Sequence, residues 1–593
     1  MRFSDVLLGA TLASVGSAGG LTRRDVSQVG EVNRKHVLMN FDKLRGNEAS
    51  DASIEKRRVG SLRKRADGYV EVEIENQNTF YSVDLSIGTP AQKVGVLVDT
   101  GSSDLWVPGS GNPFCSSSKS TSHSKKAKRQ DVNYLSSLLQ SYASAVNGLT
   151  ETEVETVTQT GAASVGTNTP TASGTQVATS IRSVASSAAT LDCSEFGTFD
   201  SANSSTWSSN NTRFYISYAD GTFADGDWGV DEMHLGDIDV TGLTFAVSNY
   251  TDSQFGVLGI GLTGSESTYS GLLSSYTRYQ YDNFPIVLQR NDVIEKNAYS
   301  VFLNKLDADS GSILFGAVDH SKYTGTLYTV PLVNSLRSKG YTSTIRLSIT
   351  LQGVGVMSSS SNTTITETKY PALLDTGATF CYFPTDLASA IAESVDATYS
   401  SSSGYYLVDC DVGDDYTLAF DFGGFHIYSP LSDYVISTSS NSRTCVLGIL
   451  PQSDDEITLG DAFLTSAYVV YDLEDQEISL AQADYSDNSE NIQVISSSGS
   501  IPSAVQAPGY SSTWSTINSL KTGGDIFTVT ANANGSSTNT QSSGSSNSGS
   551  SGSSTSGRTS SSTAAANPAY GTLPPIVVLV GSFLTAISIP AIF

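Results

Sequence analysis

The chain has 593 residues, 33 Lys and Arg against 59 Asp and Glu, and a formal charge of −26. A surface this acidic repels nucleic acid and anionic membrane, which excludes a nucleic-acid binder and favours positive peptides or ions as partners. Five Cys and five His are too few for a Cys/His metal array. No metal or other cofactor is expected. Aromatic residues make up 9%, with 28 Tyr and 22 Phe, and with frequent Val, Ile and Thr they lean the chain towards β structure.

Met1-Arg2 precedes an apolar stretch from Val6 to Val15 and small residues with Gly16 at −3 and Ala18 at −1. This reads as a secretory signal over 1–18, too short to span a bilayer. Residues 19–65 follow, with twelve Lys and Arg against six acids, ending in Arg63-Lys64-Arg65. We read them as a basic propeptide cut after Arg65 by a basic-residue convertase or by the protein itself. A cationic segment ahead of an acidic body suggests an electrostatic plug over an acidic cleft.

The body carries an internal repeat. Val96-Leu97-Val98-Asp99-Thr100-Gly101-Ser102-Ser103-Asp104-Leu105-Trp106-Val107-Pro108 is an apolar run, Asp-Thr-Gly, then a second apolar run. Ala372-Leu373-Leu374-Asp375-Thr376-Gly377-Ala378-Thr379-Phe380-Cys381-Tyr382-Phe383-Pro384 repeats it position by position. An apolar strand that presents an Asp and turns on Gly delivers a carboxylate from a rigid element to a cleft. Echoes follow each copy, Val257-Leu258-Gly259 and Thr458-Leu459-Gly460. Asp309-Ser310-Gly311 lacks the preceding apolar run and reads as a hairpin turn.

With these motifs the chain resembles the pepsin-like aspartic proteases over roughly Tyr81 to Asp484. Tyr81-Ser82-Val83-Asp84-Leu85-Ser86-Ile87-Gly88-Thr89-Pro90, the flap-like Tyr218-Ala219-Asp220-Gly221-Thr222, Leu459-Gly460-Asp461-Ala462-Phe463-Leu464 and Val469-Val470-Tyr471-Asp472 all fit that pattern. With the anchor-like tail, propeptide and long insertion it is most similar to the fungal yapsins. The resemblance implies an all-β, bilobal pepsin-like fold, with one lobe over 66–265, the other over 266–486, and the cleft between them. It implies an aspartic endopeptidase whose catalytic residues are Asp99 and Asp375, acting on protein and peptide substrates, with Asp375 nearer the base and Asp99 the acid.

Thr100, Gly101, Ser102, Thr376, Gly377, Thr379 and Trp106 are expected to support the pair. Ser102 should donate to Asp99. Its counterpart Ala378 cannot donate to Asp375, which should raise the pKa of the pair and extend activity to less acidic pH. Tyr218, Asp220, Gly221 and Thr222 belong to the flap, where Tyr218 should meet the Trp106 indole. Asp220 at the tip would pair with a Lys or Arg of the substrate. A catalytically silent binding or cell-wall protein is the competing reading, although Asp99, Asp375 and Tyr218 all stand.

In a secreted chain disulfides are permitted. Cys115–Cys193 should bracket the Ser/Thr/Ala-rich insertion 116–192, which is expected to be disordered apart from a short helix over 131–149. Nicking at Lys128-Arg129 would leave two disulfide-linked pieces. Cys410–Cys445 should lie in the second lobe, and Cys381 should be a buried free thiol. Sequons at Asn203, Asn210, Asn249, Asn362 and Asn534 mark glycosylation candidates. Residues 487–567 read as a Ser/Thr/Gly-rich stalk. Residues 568–593, with Pro574, Pro575 and the uncharged run from Ile576 to Phe593, read as a GPI-anchor signal attached between 557 and 567. The protein is therefore expected on the extracellular face of the plasma membrane, or in the wall.

Overall fold

A computed structural model of the chain describes residues 81–115 and, with short interruptions such as 219–221, 271–277 and 438–442, residues 191–528. It also gives the strand backbones of Val37–Lys43, Leu62–Lys64 and Val70–Asn76. The architecture is all-β and bilobal, with a few short helices.

Each lobe is organised around the same three-strand motif. In the first, Gly256–Gly259 lies parallel to Gln92–Asp99 on one side and antiparallel to Leu105–Pro108 on the other. In the second, Ile457–Leu459 lies parallel to Tyr370–Leu374 and antiparallel to Cys381–Pro384. The inserted strands are the two sequence echoes. Because neighbours flank these strands and layers cover both faces, their sequences are continuous apolar runs rather than alternating ones. Val94 to Val98 and Tyr370 to Leu374 are buried throughout. By contrast Tyr81–Ile87 still alternates, with Asp84 and Ser86 partly exposed.

After Pro384 the second lobe continues into a helix, Thr385–Ser394, which turns Leu387, Ala388, Ile391 and Ala392 inward at helical spacing. After Pro108 the first lobe instead enters a loop closed by Cys115–Cys193, beside short bridges joining Gly109 to Phe199 and Cys115 to Leu191. The insertion proper, with Lys128-Arg129 and the expected helix, lies outside the described residues. Cys410–Cys445 joins two segments of the second lobe, and Cys381 is a buried free thiol that burial pushes up to about 12. Strands Ala298–Phe302 and Ser310–Phe315 pair antiparallel, and Asp309 itself lies outside the described residues.

Two expectations need correction. Residues 19–65, expected as a basic propeptide and plug, supply more than charge, because Val37–Lys43 is a strand of the central sheet. It runs antiparallel to Ser310–Phe315 and parallel to Val70–Asn76, linking the sheets of the two lobes. Leu62–Lys64, just before Arg65, pairs with Val70–Asn76 as well.

The stalk does not begin at 487. Ile492–Val494 adds to Ala317–Asp319, and Ala504–Gln506 covers the edge of Tyr323–Pro331. Ile495, Ile501, Ala507, Trp514 and Ile526 are buried. Lys296, itself buried between Asp472 (2.6 Å) and Asp475 (2.5 Å), donates to the Gly499 carbonyl (3.0 Å). Glu367 Oε1 accepts from the Asp525 N–H at 2.7 Å. Ile526 fills the space that Gly353 and Gly355 leave open, where an added Cβ would lie 2.7 and 2.9 Å from its side chain. Residues 489–528 thus form a strap on the second lobe. Composition averaged over a Ser-rich tract conceals a few widely spaced anchors.

Candidate active site

The two Asp-Thr-Gly turns meet at the lobe boundary. Asp99 and Asp375 both have 0% exposure. Each Asp folds back on its own turn: the Gly101 N–H donates to Asp99 Oδ1 and the Gly377 N–H to Asp375 Oδ1, both at 2.8 Å. Each glycine also faces the opposite carboxyl. A Cβ on Gly101 would lie 2.6 Å from the Asp375 carboxyl, and one on Gly377 would lie 2.5 Å from Asp99 Oδ1. Any side chain at either position would therefore displace a carboxyl group.

Thr100 and Thr376 lock the turns together. The Thr100 N–H donates to Thr376 Oγ1 (3.2 Å) and the Thr376 N–H to Thr100 Oγ1 (3.0 Å). Their hydroxyls donate onward to the carbonyls of Leu374 (2.8 Å) and Val98 (3.0 Å). These are four buried bonds between segments more than 270 residues apart, and they fix the spacing of the carboxyls.

The surroundings of the two acids differ. Ser102 Oγ donates to Asp99 Oδ2, so Asp99 receives two donors. At the matching position Ala378 is buried, and Asp375 Oδ2 has no hydrogen-bond partner among the described residues. Burial first, then the charge of Asp99, hold the Asp375 carboxyl well above the usual carboxylate range, and Asp461 adds a smaller push. The charged form of Asp375 is therefore disfavoured. Thr379, the counterpart of Ser103, is partly exposed; its carbonyl accepts from the Ala462 N–H (3.3 Å).

The flap is the hairpin of Ser208–Ser217 and Phe223–Leu235. At its end the Tyr218 N–H donates to the Thr222 carbonyl (2.8 Å), and the Trp106 indole N–H donates to the Tyr218 hydroxyl (2.6 Å). Asp220 and Gly221 lie outside the described residues, as do Arg65 and Asn534. Asn203, Asn210 and Asn362 are exposed. Asn249 is half-buried and its amide donates to Asp227 Oδ2 (3.1 Å).

Three further residues, joined to one another in the segment after Asp99 and the loop beyond it, are not marked by any of the sequence motifs as functional: Asp104, Glu266 and Tyr281. Asp104 Oδ1 accepts from the Tyr281 hydroxyl (2.7 Å) and Oδ2 from the Ser267 N–H (2.8 Å), while Glu266 Oε2 accepts from the Tyr281 N–H (3.0 Å). Only Asp104 stands inside a recognisable pattern, the first copy of the repeat.

Two buried carboxyls at close range cannot both ionise, and such a pair can activate water for attack on a carbonyl; the dyad of the aspartic proteases is the established instance of this behaviour. The comparisons agree with that chemistry. Residues 80–483 match the family described as eukaryotic aspartyl protease. The chain is 51% identical to aspartic proteinase 3 of Saccharomyces cerevisiae, covering 86% of this chain and 89% of that protein. It is 47% identical to aspartic proteinase MKC7 of the same yeast, over 84% and 82%. Yapsin-3 of that yeast is 43% identical, over 81% and 80%. No helix among the described residues is long and apolar enough to cross a membrane. Sequence, fold and geometry converge: the chain belongs to the eukaryotic aspartyl protease family and is an aspartic-type endopeptidase, similar to the yeast yapsins, that acts on proteins and peptides.

Proposed function

We propose that Asp99 and Asp375 are the catalytic residues of a surface-tethered endopeptidase that prefers Lys or Arg in its substrates. The observation that carries the reading is the facing of two fully buried carboxyls, each abutted by the other turn's glycine. The Asp99 carboxylate takes a proton from a water between the pair. Protonated Asp375 donates to the scissile carbonyl oxygen as the tetrahedral diol forms. The proton is shared, so the pair titrates as one unit. Thr100 and Thr376 hold the spacing, Ser102 favours charge on Asp99, and Tyr218 closes over the substrate. The basic preference rests on the acidic body and on Asp220 at the flap tip. A charge-assisted bond there contributes about 1.5–3 kcal/mol.

Removal of residues 19–65 activates the enzyme. It takes the strand Val37–Lys43 out of the central sheet, so activation is a rearrangement of the sheet as well as the loss of a basic plug. Residues beyond 528 form the tether, ending at a GPI anchor, which places cleavage at the cell surface, in processing or shedding of secreted and surface proteins.

The test is cleavage of a peptide with Lys-Arg at its centre by the processed chain between about pH 3 and 7, with and without pepstatin, beside Asp99→Asn. Pepstatin-sensitive cleavage at the basic pair, lost in Asp99→Asn, is the expected result. Cleavage that survives Asp99→Asn would overturn the dyad. Equal cleavage of apolar peptides would overturn the basic preference.

A further inference from the structure

We propose that Tyr281 is a positioning residue that joins the flap hairpin to the catalytic loop, held in place by the buried carboxyl groups of Asp104 and Glu266. This deepens the dyad reading and rests on it. Tyr281 touches three elements at once. Its hydroxyl donates to Asp104, five residues beyond Asp99 and just before the strand Leu105–Pro108. Its N–H donates to Glu266, on the loop that follows Gly256–Gly259. Its ring packs on Trp228 in one flap strand (centroids 5.1 Å apart), and Trp228 meets Phe214 in the other edge-on at 5.1 Å. Phe214 in turn contacts Trp106 (6.4 Å), the indole that donates to Tyr218. One residue therefore connects the flap base, the segment after Asp99 and the intervening loop.

That loop has closed ends. Asn283 Nδ2 donates to the Gly261 carbonyl (2.8 Å), and Gln280 Nε2 to Thr263 Oγ1 (2.9 Å). It also reaches the other lobe, where a Cβ on Gly264 would lie 2.5 Å from Ile345. Glu266 has 0% exposure, and its Oε1 has no hydrogen-bond partner among the described residues. The titratable groups around the joint are Asp104, Glu266, Tyr281 and Tyr279. Burial, then the nearby Asp104, pushes the Glu266 carboxyl up to about 10, so it is neutral under acidic conditions and its repulsion of Asp104 is absent.

The processed full-length enzyme is compared with Tyr281→Phe, Tyr281→Leu, Glu266→Gln and Glu266→Ala by kcat and KM on a long peptide, by pepstatin titration and by thermal midpoint. Tyr281→Phe keeps the ring and removes the bond to Asp104. It should lower kcat about tenfold while the pepstatin titre stays full. Tyr281→Leu should also raise KM, because the flap base loses its packing. Glu266→Gln, a neutral isostere, should retain near-parent kcat, and Glu266→Ala should not. If Tyr281→Leu does not fold, Tyr281→Phe still decides the matter. The joint is overturned if Tyr281→Phe matches the parent in kcat and KM, or if its activity falls only in step with the folded fraction. It is also overturned if Gln and Ala at 266 behave alike. Failure of the dyad reading is distinguishable, because Asp99→Asn would then keep its activity.

Discussion

The two lobes carry one motif in two environments. In the first lobe the Asp turn is followed by Ser102, the strand ends in a disulfide-closed insertion, and a long hairpin folds over the cleft. In the second the turn is followed by Ala378, the strand runs into a helix, and a strap from the end of the described chain lies on the outer sheet. The backbone and the glycine N–H bond to each carboxyl are duplicated, while the Ser102 bond to Asp99 is not. Two equal acids compete for a proton without preference. Two unequal ones bias it, and the hydroxyl missing at 378 adds to the burial and the neighbouring charges of Asp99 and Asp461 that raise Asp375.

The sharpest way to break the comparison is to neutralise either acid. Asp99→Asn and Asp375→Asn should each lower kcat by about a thousandfold or more in a peptide assay, with folding intact by circular dichroism. Near-equal losses from both would show that neither lobe's acid works alone.

Next in size is removal of the feature that only the second lobe has. Ending the chain at 488 strips Ile495, Ile501, Trp514 and Ile526 from their sites. Burial of such side chains contributes about 1.5–3 kcal/mol each, so secretion or the thermal midpoint should collapse, whereas ending at 528 should change neither.

A smaller effect would make the two turns alike. Ala378→Ser supplies a donor to Asp375, favours its charged form, and should move the alkaline limb of the kcat/KM profile to lower pH by about one unit. An unmoved profile would mean that another group already serves that oxygen.

Stability should follow the buried acid Glu266. The folded-state pKa of Glu266 is raised from 4.5 to about 10, so between those values the folded chain binds the extra proton. Stability should fall as pH rises through that window, and Glu266→Gln should flatten the slope in a denaturation series run from about pH 5 to 8.

The smallest effect lies at His234, held by Asp239 Oδ1 (2.7 Å) and the Gly88 carbonyl (3.0 Å). Burial alone would lower its pKa, but these two acceptors outweigh it and raise the pKa above 6.5, since only the imidazolium can donate to both. That contribution is complete below about pH 6.5 and is lost as pH rises through the raised value. His234→Gln should remove this slight loss and little else.

The dyad was legible because its determinants are contiguous. Apolar run, Asp-Thr-Gly and apolar run stand together twice, and the inserted strands echo each other. The threonine lock and the Trp106–Tyr218 bond came with the family pattern. What escaped depends on long-range contact. Tyr281 and Asp104 are 177 residues apart, and nothing local marks Tyr281 among 28 tyrosines. The strap escaped for a different reason. Ile501, Trp514 and Ile526 recur too rarely to make a period of about 2 or 3.6, because each fills a separate niche on a surface that is already folded. Within the basic segment 19–65, Val37-Leu38-Met39-Asn40-Phe41 is overshadowed by the charges around it, although its apolar residues suit a strand.

The strap also determines where the chain tolerates cleavage. A cut beyond 528 leaves the edge of Tyr323–Pro331 covered and the folded body whole. A cut between 489 and 528 opens the edge of Tyr323–Pro331 and uncovers the space over Gly353 and Gly355. The same C-terminal region, severed some tens of residues apart, would yield either an intact enzyme or a damaged one. Where a second protease cuts would then decide whether this activity persists or ends.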